Sequence, residues 1–319
     1  MRRFFAQRWF LFVLMTLLLG GLALCGPLAF LPRLTPKLVV IGVVMLATSL
    51  ATNFGLVLRA RDSWLAVGLA LLVNAGVAPP LGWLIGRPLP PPLAEGLVVA
   101  MTVPCTIAAA IVWTRRGGGN DAAAALTSMI SNFSCFLVLP FWTGLLMGAT
   151  VDIKPRELMI KLLLGIAAPM VAGQLIRAPR RVGAWADRQK RLLSLIAQWG
   201  VLFMALLGAI EAGNAMRGSE FRPTSGHWLL LVGMIIVLHM VLLAVAAAAG
   251  WAARLGPADA LAVTIAGSQK SMAVGVGVAL QFGPMTIFPL ITYHFAQLLI
   301  DTVVVDRHRR KTGPEQPPA

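Results

Sequence analysis

Apolar residues run along this chain in long blocks separated by short polar joints. Ten blocks stand out, at about 9–31, 38–58, 63–86, 94–114, 121–147, 157–177, 191–212, 226–252, 258–281 and 285–305. Each approaches the roughly 20 residues that a helix needs to cross a bilayer. The pattern predicts an all-α membrane protein of about ten transmembrane helices. Five blocks precede Val151 and five follow Pro155, so residues 1–150 and 151–306 are expected to be two five-helix repeats, with 307–319 a cytoplasmic tail. An odd number of crossings per repeat would set the two in opposite orientations, the inverted arrangement of many secondary transporters.

Two blocks are interrupted. The fourth breaks around Val103-Pro104-Cys105-Thr106, where a proline removes a backbone donor and crowds the preceding turn. The ninth breaks around Gly267-Ser268-Gln269 and continues into Lys270 and Ser271. These are the fourth block of each half, and a pair of broken spans at matching positions points to a binding site. A proline kink alone would account for the first break. It would not account for Gln269 and Lys270 in the second, since an ammonium at the centre of a membrane costs about 3 kcal/mol or more. Lys270, Gln269, Ser268, Ser271 and Thr106 are therefore candidate binding residues.

Other polar residues within the blocks have simpler alternatives. Asn74, five residues before Pro79, can be interhelical glue or a ligand. Glu95 and Asp121 open blocks beside loops, where a negative charge suits a helix N-terminus. Glu211 lies near the end of its block, and His239 sits alone among leucines and methionines. Tyr293, the only tyrosine of the chain, is followed by His294 and, one turn on, Gln297.

Composition narrows the classes. Hydrophobic residues make up 58% and charged residues 12%, against about 25% charged in soluble domains. A net charge of +15 would suit nucleic acid, but the basic residues lie in short clusters between apolar blocks, so the charge reports topology instead. With the N-terminus inside, 18 of the 27 lysines and arginines fall on the cytoplasmic face and 8 outside, Lys270 being the remainder. Both termini are thus expected in the cytoplasm of a multi-pass protein of the cell membrane. The Arg2-Arg3 start resembles a secretory signal, yet no small-x-small cleavage site follows, so a retained first helix is expected. Cys25, Cys105 and Cys135 have no metal-ligand spacing, and no resident metal or cofactor is implied. No HExxH or GxSxG occurs, and an adjacent Ser-Lys pair makes a poor dyad, so no enzyme is predicted.

Asn53-Phe54-Gly55-Leu56-Val57-Leu58, Asn74 through Pro79 to Trp83, Leu93-Ala94-Glu95, Gly118-Gly119-Asn120-Asp121, Gly173-Gln174, Gln269-Lys270-Ser271 and Tyr293-His294 with Gln297 come in a familiar order. In them the chain resembles the bile acid:sodium symporter superfamily, within it the sodium/bile acid cotransporter 7-like branch. The resemblance covers nearly all ten blocks. It implies a panel domain (blocks one, two, six and seven) and a core domain in which broken helices four and nine cross, with cation sites at the crossing. Asn74 falls where sodium-coupled members have a glutamine ligand, and Gln269 matches another ligand. Asn120 and Asp121 match the branch's turn, and Tyr293 and His294 its last-helix motif. The family's sodium-binding glutamate corresponds to Ile265, its next asparagine to Lys270, and its fourth-helix Ser-Asn pair maps into Ala108-Ala109-Ala110-Ile111.

A hard cation wants several oxygen ligands, commonly with a carboxylate, and here a carboxylate is lost and an ammonium gained. The expectation is a secondary transporter of a small organic anion, working by alternating access, with Lys270 in the place of a cation. A lysine that gives up its proton in so apolar a setting would also couple transport to pH. Residual sodium coupling through Asn74 and Gln269 is the nearest alternative. A non-transporting membrane sensor or assembly protein is the alternative of another class.

Overall fold

A computed structural model describes residues 2–53, 55, 60, 62–148, 154–218 and 223–312. Among them every regular element is helical. We number the main helices α1 Arg2–Ala23, α2 Lys37–Ala51, α3 Trp64–Gly86, α4 Pro91–Thr102, α5 Ile107–Arg116, α6 Asp121–Met147, α7 Pro155–Arg177, α8 Lys190–Gly218, α9 Ser225–Ala252, α10 Pro257–Ser268, α11 Met272–Ala279 and α12 Ile287–Thr312. Short helices at Phe30–Leu34 and Arg180–Arg188 cover two of the joints.

Six helices are long and apolar enough to cross a bilayer, and the pair α4 and α5, bent by 67° at their break, makes a seventh. The protein is an all-α membrane protein. The remaining apolar blocks take other forms. The first gives α1 and then turns into Phe30–Leu34. The second gives only the 15 residues of α2, which stops where Thr52 turns extended and the Asn53 side chain accepts from Gly55 N. The ninth divides into helices of 12 and 8 residues, α10 and α11. Residues 54 and 56–58 of the Asn53–Leu58 motif, the expected repeat boundary at Val151 and the end of the tail lie outside the described residues. The last helix runs on to Thr312, past the expected start of the tail at 307.

Helices α1, α2, α7 and α8 pack on one another, and α3 to α6 pack with α9, α10 and α12. Contact between these groups runs largely through α11, which lies against α2 and α8, and through α6 against α7. Small residues set the closest approaches. A Cβ on Gly82 of α3 would stand 2.4 Å from Met101 of α4, and one on Gly277 of α11 would stand 2.3 Å from Ile41 of α2.

Polar side chains gather at the two ends of the bundle. At one end Lys37 pairs with Glu211 at 2.5 Å, and Asn214 donates to the Cys25 carbonyl at 3.1 Å. At the other, Arg116 pairs with Asp306 at 2.6 Å, Arg115 with Asp121 at 2.5 Å, and Arg177 with Asp187. Between them, among the described residues, the core is largely apolar, and its one buried lysine marks the place where polar groups gather most densely.

Candidate functional site

That residue is Lys270, whose side chain is 1% exposed. Local chemistry prepares three carbonyls for it. In α3 the segment Leu72–Val77 is wound one residue wider than an α-helix, and Ala78 N reaches back to Val73 O. In the same register the next carbonyl, Asn74 O, would accept from residue 79. That residue is Pro79, which has no N–H to give. Asn74 O is therefore free. At the end of α4, Pro104 forces Val103 into an extended conformation (φ −68°, ψ 152°) and the helix stops, leaving late carbonyls without helical partners.

Lys270 Nζ donates to Asn74 O and Met101 O, each at 2.6 Å, and to Val103 O at 3.2 Å. An ammonium has three N–H donors, so the carbonyl set matches the charged form of the side chain. Two of the carbonyls belong to the C-terminal end of α4, the negative end of its dipole. A cation is held here much as main-chain oxygens hold a bound ion, except that it is tethered to the chain.

The two breaks meet at this point. Ser271 N donates to Pro104 O at 2.8 Å, joining the extended residues of one break to those of the other. Each break is also gripped by a neighbouring helix. Gln297 of α12 accepts from Lys270 N and donates to Lys270 O, both at 2.9 Å. In the other break Cys105 N donates to Ser131 Oγ at 3.1 Å, and Asn132 Nδ2 donates to Cys105 O at 2.8 Å, both from α6.

Asn74 serves the site twice. Its carbonyl faces Lys270, while its Nδ2 donates to Gln269 O at 2.8 Å and, less closely, to Ala266 O and Gly267 O at 3.3 Å. Three acceptors in one direction fix which way the amide points. Ser268 Oγ donates to Thr264 O at 2.9 Å, and Ser271 Oγ accepts from Val274 N at the start of α11. Thr106 stands before α5, and its carbonyl accepts from Ser128 Oγ at 3.1 Å. His294 Nδ1 lies 3.0 Å from Gln297 Nε2.

The structure brings Lys270, Gln269, Ser268, Ser271, Asn74, Tyr293 and His294 into one network, with Thr106 beside it. Asn120 and Asp121 stand in another. Asn120 caps α6 by accepting from Ala123 N and donates to Asp259 Oδ1 at 2.7 Å and Ser63 Oγ at 2.9 Å. The hydroxyls of Ser268 and Ser271 bond main chain, and Lys270 Nζ is engaged by carbonyls, so no serine-lysine dyad is assembled.

Sequence reading passed over Asp301. It is fully buried, accepts from Gln269 Nε2 at 2.6 Å and lies 2.9 Å from His239 Nε2. His239 in turn meets Tyr293, whose hydroxyl donates to Ser268 O at 2.8 Å. Gln269 Oε1 and Thr114 Oγ1 are the buried side-chain polar atoms without a partner among the described residues. An aspartate inside the last apolar block was the available signal.

Comparison with known proteins bears on what such a site serves. The profile of the SBF-like CPA transporter family matches residues 2–310. A Pseudomonas aeruginosa protein named "Uncharacterized protein PA2026" is 29% identical over 69% of this chain and 67% of its own length. Sodium/bile acid cotransporter 7 of Rattus norvegicus is 25% identical over 67% of this chain and 64% of its own length. Sodium/bile acid cotransporter 7-A of Xenopus laevis is 24% identical over 67% of this chain and 63% of its own length. The matched stretch thus spans about two thirds of these relatives.

Proposed function

Because the chain belongs to the SBF-like CPA transporter family, we propose that it is a secondary active transporter of a small organic anion in which Lys270 stands in for a coupling cation. The observation that carries this reading is the seat of Lys270 Nζ on three main-chain carbonyls at the crossing of two broken helices. Broken spans near the bilayer midplane are where transporters of inverted-repeat architecture bind ions and substrate. The tethered ammonium neutralises the carbonyls that would otherwise call for a free cation. The starts of α5 and α11 are the positive ends of half-helices at the same crossing, and they favour an anionic group.

The two-repeat organisation belongs to this proposal. It is supported by the matching grips on the breaks, Gln297 of α12 on Lys270 and Ser131 with Asn132 of α6 on Cys105. The panel of α1, α2, α7 and α8 and the core of the remaining helices would rock against each other, with both termini cytoplasmic. Residual sodium coupling keeps one observation in its favour, the unpartnered Gln269 Oε1. One open oxygen, beside an Asn74 whose amide nitrogen is committed to carbonyls, falls short of the several oxygens a hard cation needs.

The test is uptake of a panel of labelled organic anions into proteoliposomes, with sodium and pH varied independently. Wild-type uptake is expected to be independent of sodium and to be lost, or to become sodium-responsive, in Lys270→Gln. Uptake that depends on sodium in wild type and keeps that dependence in Lys270→Gln would make Lys270 structural and overturn the reading.

A further inference from the structure

The role assigned to Lys270 leaves a second buried ionisable cluster unused. Asp301 of α12 and His239 of α9 are both fully buried, with Oδ1 and Nε2 2.9 Å apart. Oδ2 of Asp301 accepts from Gln269 at 2.6 Å. On the far side of the ring, His239 Nδ1 lies 2.9 Å from the Tyr293 hydroxyl, which lies 2.8 Å from Ser268 O.

These contacts fix where the protons are. A peptide carbonyl can only accept, so the single hydroxyl proton of Tyr293 points to Ser268. The Tyr293 oxygen must then accept from His239, and Nδ1 carries a hydrogen. One further proton lies on the contact between Nε2 and the Asp301 carboxyl. With it the pair is neutral overall. Without it, a negative charge is left in a fully buried site.

The surroundings supply one charge to balance that state. From the α10–α11 break comes Lys270, with Nζ turned onto the carbonyls of Asn74, Met101 and Val103. From the α4–α5 break comes Cys105, whose thiol meets Ser128 Oγ at 3.3 Å. On α12 itself Tyr293 is bonded to His239 and His294 faces Gln297, while Asp306 is paired with Arg116. Between Trp64 and Gly86, α3 has no ionisable side chain, and on α9 His227 lies at the opening turn, far along the helix from His239.

We propose that the Asp301–His239 contact is the proton site of this transporter and that one proton and one organic anion cross together. The inference rests on the transporter reading above and names its coupling ion. With the proton bound, Lys270 gives the crossing a net positive charge that complements an anion. Once the proton leaves, the Asp301 carboxylate brings the summed charge of the buried network to zero, and that attraction is weakened. The proton joins a carboxyl that accepts from Gln269 to a ring that reaches Ser268 through Tyr293, so its loss is felt at the two residues where α10 ends. No covalent bond is made or broken, and the proton enters from one aqueous side and leaves to the other.

The test uses the full chain, in nanodiscs for infrared spectra and in proteoliposomes for uptake. Acid-minus-alkaline difference spectra read carboxyl and imidazole protonation and need no substrate. A titrating carboxyl or imidazolium band is expected in wild type, absent in Asp301→Asn and shifted in His239→Gln. Tyr293→Phe, which keeps the Asp301–His239 contact, is expected to retain the band with a displaced midpoint, and it serves if Asp301→Asn does not fold. With the best anion from the uptake panel, an electroneutral one-to-one symporter accumulates about tenfold per unit of pH gradient, and Asp301→Asn is expected to abolish this. Identical spectra in wild type and Asp301→Asn, or no titrating band in either wild type or Tyr293→Phe, would overturn the proton site. Wild-type accumulation that ignores the pH gradient would overturn the coupling. If no anion is carried under any condition, the transporter reading fails, while the spectra alone still decide whether the pair binds a proton.

Discussion

Lys270 is buried among three carbonyls that no other donor satisfies among the described residues, so its removal has a calculable consequence. Each polar group left unpaired in the interior costs about 1–3 kcal/mol. Lys270→Met keeps the length of the side chain and loses every donor, so a marked fall in thermal stability is expected. If the ammonium replaces an ion, the vacated carbonyls should now accept one. A cation at a hundredfold excess over its dissociation constant restores about 2.7 kcal/mol. Unfolding of Lys270→Met in sodium chloride, compared with choline chloride at equal ionic strength, is expected to show stabilisation that wild type does not. Equal sodium responses in the two proteins would remove the argument for a tethered cation. Lys270 was legible in the sequence because a lysine in an apolar block has no bland explanation. Asp301 was not. It lies five residues before Asp306 and the basic run from Arg307, where a carboxylate reads as belonging to the water interface. Its partners are His239, 62 positions away, and Gln269, 32 positions away, and no local pattern joins them.

At the scale of elements, the two breaks have different origins, and only one could be read locally. Pro104 breaks its span by covalent geometry, and the sequence says so. The other break has no proline. Ser268 bonds back to Thr264 O, and Lys270, between the extended Gln269 and Ser271, is kept from rejoining a helix because Gln297 takes both its N–H and its carbonyl. That cause is tertiary, which is why the position of the break was visible and its mechanism was not. Pro79 is an intermediate case, since its effect on Asn74 depends on the wider turn that precedes it. Gln297→Leu leaves the N–H and carbonyl of Lys270 unpaired and should destabilise by about 2–4 kcal/mol, while Asn132→Leu frees the carbonyl of Cys105 alone and should cost about 1–3 kcal/mol. The breaks are joined through Ser271 N and Pro104 O. A double-mutant cycle measured by chemical unfolding is therefore expected to give a coupling energy of at least about 0.5 kcal/mol. Strict additivity would mean that the breaks are held independently.

For the whole molecule, the apolar blocks were readable because a bilayer demands long runs of one character. What they did not show is that two runs yield helices shorter than the block, because helix ends are set by caps and turns such as Thr52 and Asn53 rather than by hydropathy. Nor did hydropathy show which helices meet. For the proposed rocking motion the contact that matters is α11 against α2, where Gly277 leaves no room for a side chain beside Ile41. Helices that slide past one another need small residues at the seam, since close-packed surfaces do not deform smoothly. Gly277→Val would press branched carbon onto Ile41 and wedge the two groups of helices apart in this state. It is expected to slow uptake sharply in proteoliposomes while Lys270, whose partners lie on α3 and α4, keeps its carbonyls. Adding Ile41→Ala to the same chain reopens the space and is expected to recover much of the lost rate. Recovery would place the motion at this seam. A variant that stays slow with the space restored would mean that α11 and α2 move as one body, and the rocking surface would have to be sought between α6 and α7 instead.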